Sequence, residues 1–351
     1  MEESIREKLH IPQDLLEAEL KPFVKRIDEG SYYAKDFLKK IGKTDLLSSS
    51  TRSQVEALRI GMTLVEEISK VCMTTAFCLW CHLAALTYVR HTSNQPLKNK
   101  FLPLLESGEI LAGTGLSNPM KYYAGLEKLH LKAQPVEEGV ILSGTLPAVS
   151  NLGHDHWFGV IAKVDDDKEI MCFVPCYAEG LSLKEKLDYL GVNGSATYAC
   201  TFHDVFVPTE CILSENAAEF VKQIRPFFIA YQIPLGLGIV QESIDSIEKT
   251  SKRQNGCNRY LKKQANELQT QLQEIRQRLE TILISEELNW QEFAELRLDT
   301  VYLTLEAVQA SMLHHGSAGY MKDSAPSRRL REAYFFANLT PTVKHLEKVL
   351  Q

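Results

Sequence analysis

Apolar residues along this chain change their spacing twice. From Ser53 to Leu86 they recur at helical steps, with Ala, Leu and Met prominent, and this predicts helices. Pro96 and Pro103 bracket a further short helix that Ser107-Gly108 closes. Between Ile110 and Leu213 the texture becomes short alternating or β-branched runs separated by turn residues. Leu129–Pro135, Val140–Ser143, Trp157–Lys163, Glu169–Val174 and Thr197–Val207 are the predicted strands. Beyond them no proline occurs between Pro234 and Pro326. Three stripes there step by three and four residues: Leu237, Val240, Ile244, Ile247; Leu261 to Ile282; and Val301, Leu305, Val308, Met312. Breaks near Gly256 and Ser285–Asn289 make them an antiparallel bundle. The pattern predicts a multi-domain α+β chain: an N-terminal helical domain over 1–109, a central β domain over 110–213 and a C-terminal helical bundle over 214–351.

Composition narrows the partners. A chain of 351 residues holds two or three domains, and 44% apolar with 24% charged residues is ordinary for a globular protein. The formal charge of −6 comes without a long Lys/Arg block, which argues against nucleic acid or an anionic membrane and for small molecules or further copies of the chain. Eight cysteines are too dilute for a disulfide scaffold, and the opening MEESIREKLH is charged and amphipathic, so a reducing cytoplasm is the expected location. No run of 18 apolar residues is evident, so no membrane span is expected. Cys78-Leu-Trp-Cys81 has metal or redox spacing but sits inside the apolar run Val71–Leu86, where cysteine packs as a small hydrophobe. His154-Asp155-His156 lacks a third ligand at standard spacing. Asp165-Asp166-Asp167-Lys168 reads as a solvated hairpin turn.

Several stretches, in this helical–β–helical order, resemble the acyl-CoA dehydrogenases and their flavoprotein relatives. Thr74-Thr75-Ala76-Phe77 with His82, then Lys100 to Glu109, is similar to that family's entry into its β domain. Leu190 to Thr197, running on to Phe202-His203-Asp204-Val205-Phe206-Val207-Pro208, resembles its G-x-x-G-[ST] turn and D-V-x-V-P strand end. His315-Gly316-Ser317-Ala318-Gly319-Tyr320 and Arg328 to Ala333 resemble its glycine-rich turn and R-x-x-R-D-A helix.

The resemblance implies a central β-barrel-like domain, a C-terminal four-helix bundle, and FAD held at a subunit interface of a homodimer or homotetramer. Leu116-Ser117 and Ser150-Asn151 match two flavin contacts, neutral groups that tune the ring without adding charge. Lys252 or Arg253 and Gly316 fall where the FAD diphosphate would be met from a neighbouring subunit, and Gln264 where the adenine end is supported. Thr340 belongs to the same cofactor set. An acyl or acyl-like substrate and an electron-transfer flavoprotein are the implied partners.

The departures concern chemistry. The family reaction removes an α-proton with a carboxylate, yet the matched base positions are Asn338 and, counting back from Pro234-Leu235-Gly236, Pro226. Met120-Lys121-Tyr122-Tyr123, after Ser117-Asn118-Pro119, replaces the glycine-rich segment that contacts the thioester arm, Ala148 stands in place of an aromatic residue, and Leu313 or His314 replaces a glutamine. Asp323 and Glu332 are the nearest carboxylates in sequence, with Glu332 expected in an ion pair, while His314 and His315 read as helix-end histidines. The resemblance thus implies an FAD-binding oxidoreductase acting on CH–CH groups, without the usual glutamate. A reduced-flavin-dependent monooxygenase of the same fold and a catalytically degenerate structural homologue are its alternatives.

Overall fold

The computed structural model describes residues 13–285 and 287–351. The opening decapeptide lies outside them. After short turns come α1 (Val24–Glu29), α2 (Lys35–Gly42), α3 (Gln54–Val71), α4 (Met73–His91) and α5 (Gln95–Glu106). α3 starts where Ser53 accepts from the Glu56 backbone N–H while the Glu56 carboxylate accepts from that of Ser53, a reciprocal cap. Extended Cys72 separates α3 from α4. Every residue of α4 from Met73 to Val89 is buried, as an all-round apolar helix requires. α4 packs against α3, α5, the sheet and the C-terminal helices, which makes it the axis of the protein.

The central region holds β1 (Ala112–Thr114), α6 (Ser117–Tyr123), β2 (Leu131–Val136), β3 (Gly139–Val149), β4 (Trp157–Lys163), β5 (Glu169–Pro175), β6 (Leu181–Glu185), β7 (Tyr198–Pro208) and β8 (Ile212–Ser214). They form one mixed sheet in the order β6-β7-β3-β2-β4-β5-β8, with β1 parallel beside β4. The barrel-like sheet stays open at β6 and β8. β4 and β5 are buried on both faces, hence their unbroken apolar runs. Their hairpin turn carries the three adjacent aspartates. Asp166 meets Lys163 at 2.7 Å and Asp165 caps the Asp167 N–H at 3.0 Å, a turn closed on itself.

The last region contains α7 (Ala217–Ala230), α8 (Ile233–Thr250), α9 (Ala265–Leu283), α10 (Trp290–His315), α11 (Ala325–Asn338) and α12 (Val343–Val349). α8, α9, α10 and α11 form the bundle, and α8 also packs on α3. That contact depends on Gly238, where a Cβ would come within 2.6 Å of the Ser69 side chain and 2.7 Å of the Glu66 carbonyl oxygen. Ser69 Oγ donates to the Leu235 carbonyl at 2.7 Å across the same seam. Taken together, Ala217–Thr250 is long and apolar enough to cross a membrane by length and composition, but 89% of its apolar window is buried inside the protein. Its apolarity is that of a core helix pair.

Candidate functional site

Ser117 at the start of α6, Ser150 at the end of β3 and Thr340 after α11 line one cleft of about 180 Å³. Phe77, Trp80 and Cys81 of α4, Phe228 of α7, and Phe335, Asn338 and Leu339 complete its walls with Thr114 and Ala148. Ser117 Oγ and Thr340 Oγ1 share a 2.8 Å hydrogen bond, joining residues 223 positions apart. Ser150 Oγ pairs with Thr197 Oγ1 at 2.7 Å, and Ser195 Oγ meets that same atom at 2.8 Å. A hydroxyl carries one donor and two acceptor sites, so each retains capacity for a ligand.

The lining is neutral. Among the described residues its lining has no carboxylate, lysine, arginine or histidine, and burial pushes the Cys81 thiol well above its usual range, so it stays protonated. Asn338 caps the Tyr334 carbonyl at 2.8 Å. Pro226 is buried within α7 and does not line the cleft; Phe228, two positions on, does. Glu332 is fixed by Arg328 at 3.0 Å and by the N–H and hydroxyl of Thr74 at the start of α4, both at 3.2 Å. Asp323 is exposed beside Lys25 at 3.4 Å.

Behind Thr340 lies a buried cation that the sequence does not announce. Arg297, with no exposed surface, donates Nε to Gln232 Oε1 at 3.1 Å and Nη2 to the Phe336 carbonyl at 2.8 Å, with its guanidinium 3.6 Å from the Phe336 ring centroid. Gln232 Nε2 in turn donates to the Thr340 carbonyl at 2.9 Å. Burial holds this guanidinium well below its usual pKa.

Other expected residues lie elsewhere. Asn151 is turned away from the cleft by a left-handed backbone (φ 60°). Its amide donates to the Ala112 carbonyl at 2.8 Å and accepts from Tyr33 OH at 2.6 Å, so it ties β3 to β1 and does not face the cleft. Leu116 is fully buried and outside the lining. Lys252 and Arg253 are exposed beyond α8, and Gly316 ends α10 in a positive-φ conformation (57°) with open space around it. Gln264 donates to the Asn258 and Leu261 carbonyls at 3.0 and 2.6 Å, closing the loop before α9. Nearby, Ser246 Oγ contacts His315 Nε2 and Arg329 Nη2, each at 2.8 Å, and His314 Nε2 meets the Lys263 carbonyl at 2.9 Å. From Gln232, beside the cleft, to Ser246, in this second cluster, is roughly 20 Å along α8.

The remaining candidates are committed to packing. Met120 to Tyr123 form most of α6, where Tyr122 OH donates to Glu169 at 2.6 Å, and no glycine-rich turn exists at this position. Asp155 pairs with Lys35 at 2.6 Å, His156 Nδ1 meets the Asn151 carbonyl at 2.9 Å, and His154 stacks on Tyr177, so this trio diverges. Trp80, Cys81, Phe228 and Phe335 were not foreseen as cleft residues. The signal in reach was the step of Phe77, Trp80 and Cys81, which marks one face of α4.

An open mixed sheet lies between two helical regions, with a neutral cleft where the three meet. The first helical region matches the profile described as "Acyl-CoA dehydrogenase, N-terminal domain" over residues 2–109. The mitochondrial isovaleryl-CoA dehydrogenase of Solanum tuberosum is 29% identical over 55% of this chain and 50% of its own length. The Arabidopsis thaliana protein of the same name is 29% identical over 64% and 58%. The chain thus spans a little over half the length of these curated relatives. The mouse short-chain specific acyl-CoA dehydrogenase aligns at 25% identity over 92% of this chain and 82% of its own. In fold, butyryl-CoA dehydrogenase from Megasphaera elsdenii superposes with a TM-score of 0.85 at 17% identity, covering 96% of this chain and 94% of that one. The prolyl acyl carrier protein oxidase AnaB reaches 0.82 at 15% identity over 100% and 98%. The first helical region is thus similar to the acyl-CoA dehydrogenase N-terminal domain, and the chain as a whole has the fold of the acyl-CoA dehydrogenases.

Proposed function

We propose that the protein is an FAD-binding oxidoreductase acting on an acyl or acyl-like small molecule, in a cleft that offers no carboxylate base. The lining carries this reading: hydroxyls of Ser117, Ser150 and Thr340, rings of Phe77, Trp80, Phe228 and Phe335, and no charged side chain. Such hydroxyls suit the neutral donors and acceptors of a flavin's pyrimidine edge, and the rings offer flat surface that excludes water. FAD would supply hydride acceptance; the chain would orient the ring and substrate. Lys252, Arg253 and Gly316, at the far end of α8, would meet the diphosphate of FAD held by a second copy, in a homodimer or homotetramer. A cytoplasmic location and reoxidation by an electron-transfer flavoprotein complete the proposal.

Purified protein loaded with FAD and desalted is expected to keep absorbance near about 450 nm. A colourless protein that takes up no FAD overturns the reading in favour of a structural homologue. Under anaerobic conditions a panel of acyl-CoAs should bleach native protein slowly. Asn338→Glu, which places a carboxylate in the lining, should bleach roughly 10²-fold faster or more, the usual range for a positioned base. Equal rates would show that the native cleft has a base after all.

The same lining favours one second reading, a reduced-flavin-dependent monooxygenase, which removes no α-proton. Oxygen-18 from labelled dioxygen should then enter the product, and unlabelled product excludes it.

A further inference from the structure

A second cavity, of about 230 Å³, opens between the start of α3, the end of α4, α5 and the end of α7. Arg52, Arg90 and Lys98 line it, and Ala57, Leu102 and Phe227 give it an apolar floor. Among the described residues no carboxylate lines it. Each cation is anchored from behind. Arg52 Nη1 donates to the carbonyls of Asp45, Leu46 and Ser48 at 2.8, 3.2 and 2.7 Å. Lys98 Nζ donates to the Arg90 carbonyl at 2.6 Å and so spends one of its three protons. Arg90 holds Glu106 at 3.0 Å, with both side chains mostly buried. The other acids nearby are solvated: Asp45 is 81% exposed and 3.8 Å from Arg52, and exposed Glu56, whose carboxylate caps Ser53, also feels Arg52. Of the three acids around the three fixed cations only Glu106 is buried, and the solvated Asp45 and Glu56 are screened, so the lining itself is positive. Burial, with Lys98 and Arg90 adding to it, pushes the pKa of the adjoining His91 down.

This cavity is separate from the cleft. Phe227 faces the cationic cavity and Phe228 the cleft. Trp80 closes the wall between them, with its ring 4.9 Å from that of Phe228 and its Nε1 donating to the Phe228 carbonyl at 3.0 Å. A hydrated ion alone would leave the apolar floor wet, and a neutral hydrocarbon would leave the cations unanswered. At about 30 Å³ per water the space equals roughly seven or eight waters, which suits a short chain with a charged head.

We propose that this cavity is a binding site for a small carboxylate with an apolar body, its carboxylate held by Arg52, Arg90 and Lys98 and its chain lying on Ala57, Leu102 and Phe227. Hexanoate is the probe, titrated calorimetrically into the full-length protein, with inorganic phosphate and hexylamine at matched ionic strength. Hexanoate is expected to bind saturably, at least about tenfold tighter than either control. Lys98→Gln should weaken it about fivefold, the effect of one partly screened charge. Ala57→Phe, which fills the space and keeps all three cations, should abolish it. The half-exposed positions of Lys98 and Ala57 allow folding to be checked by thermal melting of each variant. The proposal is overturned by absence of saturable hexanoate binding, by phosphate binding as tightly, or by hexanoate affinity unchanged in both folded variants.

Discussion

One ring, that of His82, joins two ends of chain at the entrance to the β region. Its Nε2 lies 3.0 Å from the Leu105 carbonyl, and its Nδ1 accepts from the Ala112 N–H at 3.2 Å. This arrangement requires a neutral imidazole with its proton on Nε2, and burial lowers the pKa to about 4. The unfolded chain binds this proton near pH 6.5, so the contribution is complete above 6.5 and is lost as pH falls toward 4. Between pH 7 and 5 the loss should be about 2 kcal/mol. Denaturant unfolding at both pH values, repeated on His82→Gln, measures it. The glutamine can make both bonds without titrating, so its pH dependence should be shallower by that amount. Asn151 shows why a residue legible as a contact can be spent otherwise. Its type and position in sequence suggest a ligand, but a left-handed backbone turns its amide toward Ala112 and Tyr33.

Among the elements, periodicity exposes the long helices because their stripes persist for several turns. Leu268, Leu272, Ile275, Leu279 and Ile282 are all buried on α9 as their spacing requires. β1, β6 and β8, of three to five residues, leave too few positions to show alternation, and they escape sequence reading for that reason. The long apolar strands β4 and β5 do not. The seam between α3 and α8 is equally invisible along the chain, since Gly238 looks like one of several glycines until Ser69 and the Glu66 carbonyl are set against it. Gly238→Ala should therefore destabilise by about 1–3 kcal/mol despite the better helix propensity of alanine. A lower urea midpoint with unchanged slope would register this. A midpoint at or above the native value would mean that the helices part without cost.

For the whole molecule, the cleft and the cluster around Arg253 and Gly316 stand at opposite ends of α8, which leads to a mixing test. Ser117→Trp should block the cleft and Arg253→Glu should repel the diphosphate, so each alone should lose FAD. If one copy's cleft shares its FAD with a neighbour's basic cluster, co-refolding the two variants should restore part of the binding. If every site belongs to a single chain, mixing restores none. Sequence motifs brought Ser117, Ser150 and Thr340 to one place because local resemblance survives in short segments. They did not bring in Trp80, Phe228 or Arg297, whose roles arise only when α4, α7 and α10 are packed together. α4 carries a further consequence. Phe77, Trp80 and Cys81 face the cleft, and Thr87 and His91, further along the same rod, face the cationic cavity. A partition shared by two rooms is hard to remodel for either. As descendants of this chain diverge toward new ligands, substitutions should gather on α7, where neighbouring side chains belong to different rooms, while α4 stays nearly unchanged.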